Sequence, residues 1–256
     1  MKQKIKQVEA DVAGLLSSWD GVDTITIAES ADEDFSDPYF FLSLDVYYKG
    51  ELPSIQERRD AFPKAFGFES SALNKKDRFL IDNVPIRIEY KFQDRVDEIL
   101  ENKDKVFGML REAGTHMFYR LKENRVLVAK TEWLEAKREQ LMQIHDAFWD
   151  QIADSAKARL EHHVSDIGAA VIRQDSYFFA AALSGYLSSL STLLFSLNHQ
   201  FEPAPRWVYE RILHLPNLPD AFTGRFQSLL RFDGSISNAK KHEIAQLLAK
   251  SLIFAR

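Results

Sequence analysis

Hydrophobic and polar residues alternate along several short stretches in the first half of the chain, which is the pattern of half-buried β-strands. Residues 22–28 and 40–48 alternate in this way and contain β-branched or aromatic side chains, so each is predicted to be a strand. Residues 78–81 and 85–92 predict a hairpin, and residues 125–129 predict a further short strand. The first half of the chain therefore predicts a sheet.

Apolar residues recur at helical spacing between these strands and through the whole second half of the chain. In the first half, helices are predicted over residues 2–18, 54–66 and 94–102. In the second half, a continuous apolar stripe over residues 141–160 precedes helices near residues 165–172, 175–198, 205–213, 220–231 and 238–254. The pattern predicts an α+β fold, with a mixed sheet and flanking helices over residues 1–127 and an all-α bundle over residues 128–256.

Composition narrows the classes of protein to which the chain can belong. The 256 residues contain no cysteine, which excludes disulfides, thiol catalysis and cysteine-bound zinc. The formal net charge of −5 argues against a protein that coats duplex nucleic acid, because such proteins concentrate lysine and arginine. The N-terminus is charged throughout and lacks the apolar stretch of a signal peptide, so a cytoplasmic protein is expected.

One segment has the length and composition of a membrane span. Residues 176–201 contain no Asp, Glu, Lys or Arg, but they include six serines. Ser184, Ser188 and Ser191 share one face of the predicted helix, and leucines line the opposite face. The segment is therefore predicted to be the central helix of a soluble bundle rather than a membrane anchor.

Two carboxylates in the middle of predicted strands are the candidates for chemistry. Asp45 and Glu89 each lie on the more polar face of a strand, and Arg87 and Lys91 share that face with Glu89. Carboxylates on a covered sheet face commonly bind Mg²⁺, which prefers oxygen ligands and shares its shell with phosphates. Three interpretations remain open at this point: an intact metal site, a degraded one, and solvated acids on an open sheet face.

The order of strand, loop, acid-bearing strand, helix and second acid-bearing strand resembles the nucleotidyltransferase superfamily founded by DNA polymerase beta. It resembles more closely the small bacterial members related to kanamycin nucleotidyltransferase, which have a helical C-terminal domain. Ala28-Glu29-Ser30 stands where the family has Gly-Ser, Ser43-Leu44-Asp45 where it has acid-x-acid, and Glu89 where it has a third acid. The helical half resembles uncharacterised members at Phe195, Leu197, Asn198, Trp207, Leu215 and Pro216.

The resemblance implies transfer of a nucleoside monophosphate from a magnesium-bound nucleoside triphosphate such as ATP to a hydroxyl group of a small molecule or a protein. Asp45 and Glu89 would then be catalytic residues and the Mg²⁺ ligands. Ser30, Ser43 and Arg87 would contact the nucleotide. The resemblance also implies a homodimer, whereas a nucleic-acid substrate is disfavoured because no basic patch or stacking platform stands out.

The chain departs from the family pattern at two positions that matter for this activity. Glu29 replaces the glycine that lets the backbone approach a triphosphate, and Ser43 replaces the first acid of the pair. Asp34 or Asp37, in the acidic loop between the first two strands, would have to replace the missing ligand. The sequence leaves open whether the protein is an active enzyme. The alternative is a catalytically degraded nucleotidyltransferase fold that acts as a non-enzymatic binding or interaction protein.

Overall fold

The computed structural model of the chain describes residues 2–28, 40–71, 75–102 and 114–253. The described residues divide into two compact units. The sheet unit comprises the residues up to 102 and residues 118–143, and the helical unit comprises residues 114–117 and 144–253. The domain boundary expected between residues 127 and 128 stays a prediction.

Within the described ranges, the sheet unit contains six strands and the helices that flank them. In chain order, its strands are β1 (Val22–Ile27), β2 (Leu42–Tyr48), β3 (Phe66–Ser71), β4 (Lys76–Ile81), β5 (Val84–Phe92) and β6 (Arg125–Ala129). Its helices are α1 (Lys2–Ser17), α2 (Ile55–Ala61), α3 (Gln93–Glu101), α4 (His116–Glu123, of which residues from 118 belong to this unit) and α5 (Trp133–Met142).

The six strands form one mixed sheet in the order β3-β4-β5-β2-β1-β6. β2 and β5 run parallel, and the other neighbouring pairs are antiparallel. The parallel pair lies at the centre of the sheet, where each strand has a neighbour on both sides. The α+β class predicted from the sequence is confirmed.

Strand β2 is buried along its whole length, on both faces. Leu42, Leu44, Val46 and Tyr48 lie in one hydrophobic core with the apolar stripe of α1, which is formed by Ile5, Val8, Val12 and Leu16. Ser43, Asp45 and Tyr47 alternate with them and are also buried. A polar side chain on a covered face needs a partner, so this second face is where a site would be built.

Two parts of the sheet unit differ from the sequence prediction. The helix predicted over residues 54–66 begins with a capping box, in which Ser54 and Glu57 bond each other's backbone N–H, but it ends at Ala61. The residue before a proline disfavours helical dihedral angles, so Pro63 accounts for this early end. Two elements, the strand β3 and the helix α4, were not predicted from the sequence.

The described part of the helical unit contains α6 (Asp146–Arg173), α7 (Ser176–Leu197), α8 (Pro205–Leu213), α9 (Phe222–Leu229) and α10 (Asn238–Ile253). The apolar stripe predicted over residues 141–160 is interrupted at residues 143–145, and the following helix then runs unbroken to Arg173. It ends where Gln174 adopts a left-handed conformation with φ 54°. Asp175 then caps α7 by accepting a hydrogen bond of 2.9 Å from the Phe178 N–H.

Among the residues that the structure describes, α7 is the one helix long and apolar enough to cross a membrane. It lies instead in the hydrophobic core of the helical unit, with Tyr186, Leu190, Leu193 and Leu194 fully buried. The Tyr186 hydroxyl donates a hydrogen bond of 2.9 Å to the Ala245 carbonyl of α10, so even its polar atom is satisfied inside the unit. The helix is packed as the central core helix that the sequence predicts.

A buried ion pair fixes α2 against the sheet. Asp77 of β4 is fully buried and accepts hydrogen bonds from the Arg58 Nε–H at 2.9 Å and the Tyr90 hydroxyl at 2.7 Å. Arg58 also donates to the Pro53 carbonyl and the Ser70 hydroxyl. Burial, followed by the charge of Asp77, raises the pKa of Tyr90 well above its ordinary value, so the phenol keeps the proton that it donates.

We expect Arg58→Leu to lower the free energy of unfolding by about 3 kcal/mol or more, because it leaves the Asp77 carboxylate buried without its cation. Arg59→Leu is the matched control, since Arg59 is the next residue of α2 and is exposed; we expect it to lower that free energy by less than about 1 kcal/mol. Urea unfolding followed by circular dichroism measures both values. Equal losses in the two variants would show that the buried pair does not stabilise the unit.

Candidate functional site

Four side chains form a row across the centre of the sheet. The backbone register pairs Thr26 of β1 with Asp45 of β2, Asp45 with Glu89 of β5, and Glu89 with Lys76 of β4. Residues paired across neighbouring strands project from the same face, so this register brings the two acids together. The structure therefore places the two predicted acidic site residues side by side.

Asp45 is completely buried and surrounded by donors. Its Oδ2 lies 2.9 Å from the Lys91 Nζ and accepts a hydrogen bond of 3.2 Å from the Asn124 side chain. Its Oδ1 lies 2.8 Å from the Arg120 Nη2, an ion pair without hydrogen-bond geometry. The interpretation of Asp45 as a solvated acid on an open sheet face is therefore wrong, because the side chain is fully buried and paired with two cations.

Glu89 makes ion pairs with three cations, although its side chain is slightly exposed. Arg87 and Lys76 both contact its Oε1, Lys76 at 3.2 Å, and the Arg120 Nη1 lies 3.4 Å from its Oε2. Burial by itself would raise the pKa of Glu89. The positive charges of Arg120, Lys91, Arg87 and Lys76 outweigh burial and lower that pKa to about 2. Glu89 therefore stays ionised at neutral pH.

Arg120 connects the two acids and was not identified from the sequence. It projects from α4, is 9% exposed, and its Nη2 also donates a hydrogen bond of 3.2 Å to the Ser43 hydroxyl. Burial works against its charge, but Asp45 and Glu89 outweigh burial and raise the pKa of Arg120. Asn124 follows four residues later, on the same side of this helical turn. Nothing in the sequence singles out Arg120, because nearby side chains are charged as well, at Lys122, Glu123 and Arg125.

Lys91 completes the surroundings of Asp45. Burial lowers the pKa of Lys91, and the nearby Arg120 adds to that effect, while the attraction of Asp45 opposes it. Its ammonium group also lies 5.8 Å from the centre of the Tyr47 ring. Burial, followed by the charge of Asp45, raises the pKa of Tyr47 well above its ordinary value, so the ring next to the ammonium stays neutral.

We name the six ionic side chains of this site the cation cluster: Asp45, Lys76, Arg87, Glu89, Lys91 and Arg120. Four cations face two carboxylates, so the cluster has a net charge of +2. Among the described residues, the buried Nε–H groups of Arg87 and Arg120 find no acceptor, and the Asp45 Oδ1 finds no donor in hydrogen-bond geometry. A buried donor without a partner costs free energy, so this arrangement favours a bound group with negatively charged oxygens.

The described side chains of the cluster, paired as they are, do not fit Mg²⁺. Within the described ranges, no group of three or more His, Asp or Glu side chains comes close enough to hold a metal ion. The carboxylates of Asp45 and Glu89 are both engaged by cations, which a metal would have to displace. The Ser43 hydroxyl accepts from Arg120 at 3.2 Å. The magnesium site that the resemblance implies therefore has no support in these side chains.

Several predicted residues remain without a structural outcome. Ser30, Glu29, Asp34 and Asp37 all lie outside the described residues. The nucleotide contact assigned to Ser30, and the replacement ligand sought in Asp34 or Asp37, therefore stay predictions.

Arg87 lies beside Glu89, as the shared strand face predicts. Its guanidinium is 5.9 Å from the centre of the Phe41 ring, on the side of the strand where Ser43 lies.

We expect part of the acid sensitivity of the fold to come from Glu89. A carboxylate with a lowered pKa in the folded state stabilises the fold above its unfolded pKa, and that stabilisation is lost as pH falls toward the folded value. Between about pH 4.5 and about pH 2, the free energy of unfolding of the wild type should therefore fall by up to about 2 kcal/mol more than that of Glu89→Gln. Urea unfolding across this range measures the difference, with Glu98→Gln on α3, an exposed carboxylate, as control. Parallel curves for the wild type and Glu89→Gln would contradict the prediction.

Comparisons with known proteins give a similarity in structure but no match in sequence. No protein-family model and no curated protein matches the chain. Among solved structures, the chain is similar to the crystal structure of a nucleotidyltransferase-like protein from Exiguobacterium sibiricum 255-15, with 12% sequence identity and a TM-score of 0.47. The match covers 99% of this chain and 74% of that one.

Proposed function

We propose that this chain is a nucleotidyltransferase-like protein that binds a nucleoside triphosphate at the cation cluster. The single observation that carries the proposal is the net charge of +2 of the cation cluster. Phosphate oxygens are strong acceptors, and arginine binds them through paired N–H groups. The order of motifs in the sequence supports a nucleotide over other polyanions.

The members of the cluster differ in how they can act on a ligand. The side chains of Arg87 and Lys76 are about one third exposed, so they are available to phosphate groups that arrive from solvent. Arg120 and Lys91 are more deeply buried than Arg87 and Lys76, and their positive charges balance the negative charge of the Asp45 carboxylate. Without those two cations the buried carboxylate would repel an approaching phosphate. The deep cations therefore remove a repulsion, and the outer cations supply the attraction.

We expect calorimetry to detect ATP binding to the wild type and a roughly tenfold loss of affinity in Arg87→Gln, which removes one charge-assisted contact with phosphate. Arg95→Gln is the matched control, because Arg95 is an exposed arginine of α3 that pairs with Glu98; its affinity should equal that of the wild type. Absence of ATP binding to the wild type would refute the proposed function. An equal loss in both variants would refute the cation cluster as its site.

A second candidate function is transfer of a nucleoside monophosphate to a hydroxyl group of a small molecule or a protein. The observation that favours it is the direct pairing of Asp45 with Glu89 on parallel strands, since these are the positions to which the resemblance assigns catalysis. The described side chains do not fit Mg²⁺, so their geometry does not support a role of Asp45 and Glu89 as magnesium ligands. A cytoplasmic location and a homodimeric state belong to the same proposal.

For this second function, we expect the protein to label acceptors in a cell extract when it is given Mg²⁺ and ATP that carries a radioactive α-phosphate. The label should be lost in Asp45→Asn and retained in Arg95→Gln, because Asp45 is central to the cluster and Arg95 lies outside it. Circular dichroism must show that Asp45→Asn is folded. Labelling that survives Asp45→Asn would place the activity elsewhere in the protein or in a contaminant.

A further inference from the structure

Arg120 occupies the space among the three side chains that a metal ion at this site would have to reach. Its guanidinium lies 2.8 Å from an Asp45 oxygen, 3.2 Å from the Ser43 hydroxyl and 3.4 Å from a Glu89 oxygen. These distances are those of direct hydrogen bonds or ion pairs, without room for an intervening ion. One protein cation thus bridges the three side chains.

The charges also balance without a metal. Two ionised carboxylates on neighbouring strands carry a charge of −2, and they repel each other and any phosphate that approaches. Arg120 and Lys91 together supply +2 directly against Asp45, which is the charge of one Mg²⁺. Arg87 and Lys76 pair with Glu89 in addition, so the cations exceed the carboxylates by two. Both carboxylates are thus already paired with cations, which an approaching Mg²⁺ ion would have to displace.

We infer that Arg120 and Lys91 take the place of a divalent cation, so that the cluster binds the free triphosphate chain of a nucleotide in preference to its magnesium complex. This inference rests on the proposed function and specifies its ligand. Mg²⁺ neutralises part of the triphosphate charge and occupies the phosphate oxygens that the arginines would otherwise contact. The magnesium complex is therefore the weaker ligand for a cluster with a net positive charge.

Calorimetry with the wild-type chain tests the inference with two probes, ATP and inorganic tripolyphosphate, each in EDTA and in excess Mg²⁺. We expect both probes to bind in EDTA and to bind at least about tenfold more weakly in Mg²⁺. Binding that requires Mg²⁺ would overturn the inference but leave the proposed function standing. Absence of binding in both conditions would overturn the proposed function itself, so the two failures are distinguishable.

A double variant provides the reverse test. Ser43→Asp with Arg120→Ser adds a carboxylate and removes the bridging cation, which changes the charge of the cluster from +2 to zero. We expect this variant to lose the preference for metal-free ATP. Lys91→Met, which removes the other deep cation, should weaken tripolyphosphate binding in EDTA. Thermal unfolding identifies variants that do not fold; for those, the wild-type comparison with and without Mg²⁺ still decides the inference.

Discussion

The burial of one carboxylate, that of Asp45, constrains the rest of the sheet unit. An ionised carboxylate inside a protein is stable only when charges or hydrogen bonds replace the water that it has lost. Lys91, Arg120 and Asn124 supply these replacements from β5, from α4 and from the residue just after α4. The packing of that helix on the centre of the sheet and the burial of Asp45 therefore depend on each other.

The same sheet contains a second buried acid, Asp77. Its surroundings differ from those of Asp45 in the way that a purely structural network differs from a candidate binding site. Asp77 meets one arginine and one neutral tyrosine, and the Arg58 nitrogens have acceptors in Asp77, Pro53 and Ser70. In the cation cluster, the cations exceed the acids, and two buried N–H groups find no acceptor among the described residues. A network that serves only the fold has no need of surplus charge, because the surplus destabilises it. The surplus is what a bound anion would use.

The parts of the fold that the sequence predicts are those with long periodic signals. Five of the six described strands, and the faces of β2 and β5, follow from a period of two residues. The strand β3 was missed because the residues before it extend a helical pattern, and α4 was missed although other helices of similar length were predicted. Arg120 was missed because its contact with Ser43 joins residues 77 positions apart in the chain. Such a pairing depends on the folded sheet and has no local pattern.

The pKa shifts of two buried glutamates, Glu202 and Glu89, show which property distinguishes the cation cluster. Glu202 in the helical unit is also largely buried, and it accepts hydrogen bonds from the Thr192 hydroxyl at 2.8 Å and the Thr115 N–H at 3.2 Å. Burial raises the pKa of Glu202, because those neutral donors do not compensate for lost water. Glu89 shows the opposite shift, to about 2, although burial acts on it in the same direction. The difference comes from the surrounding cations, whose excess over the two carboxylates is therefore the property by which this site would select a ligand.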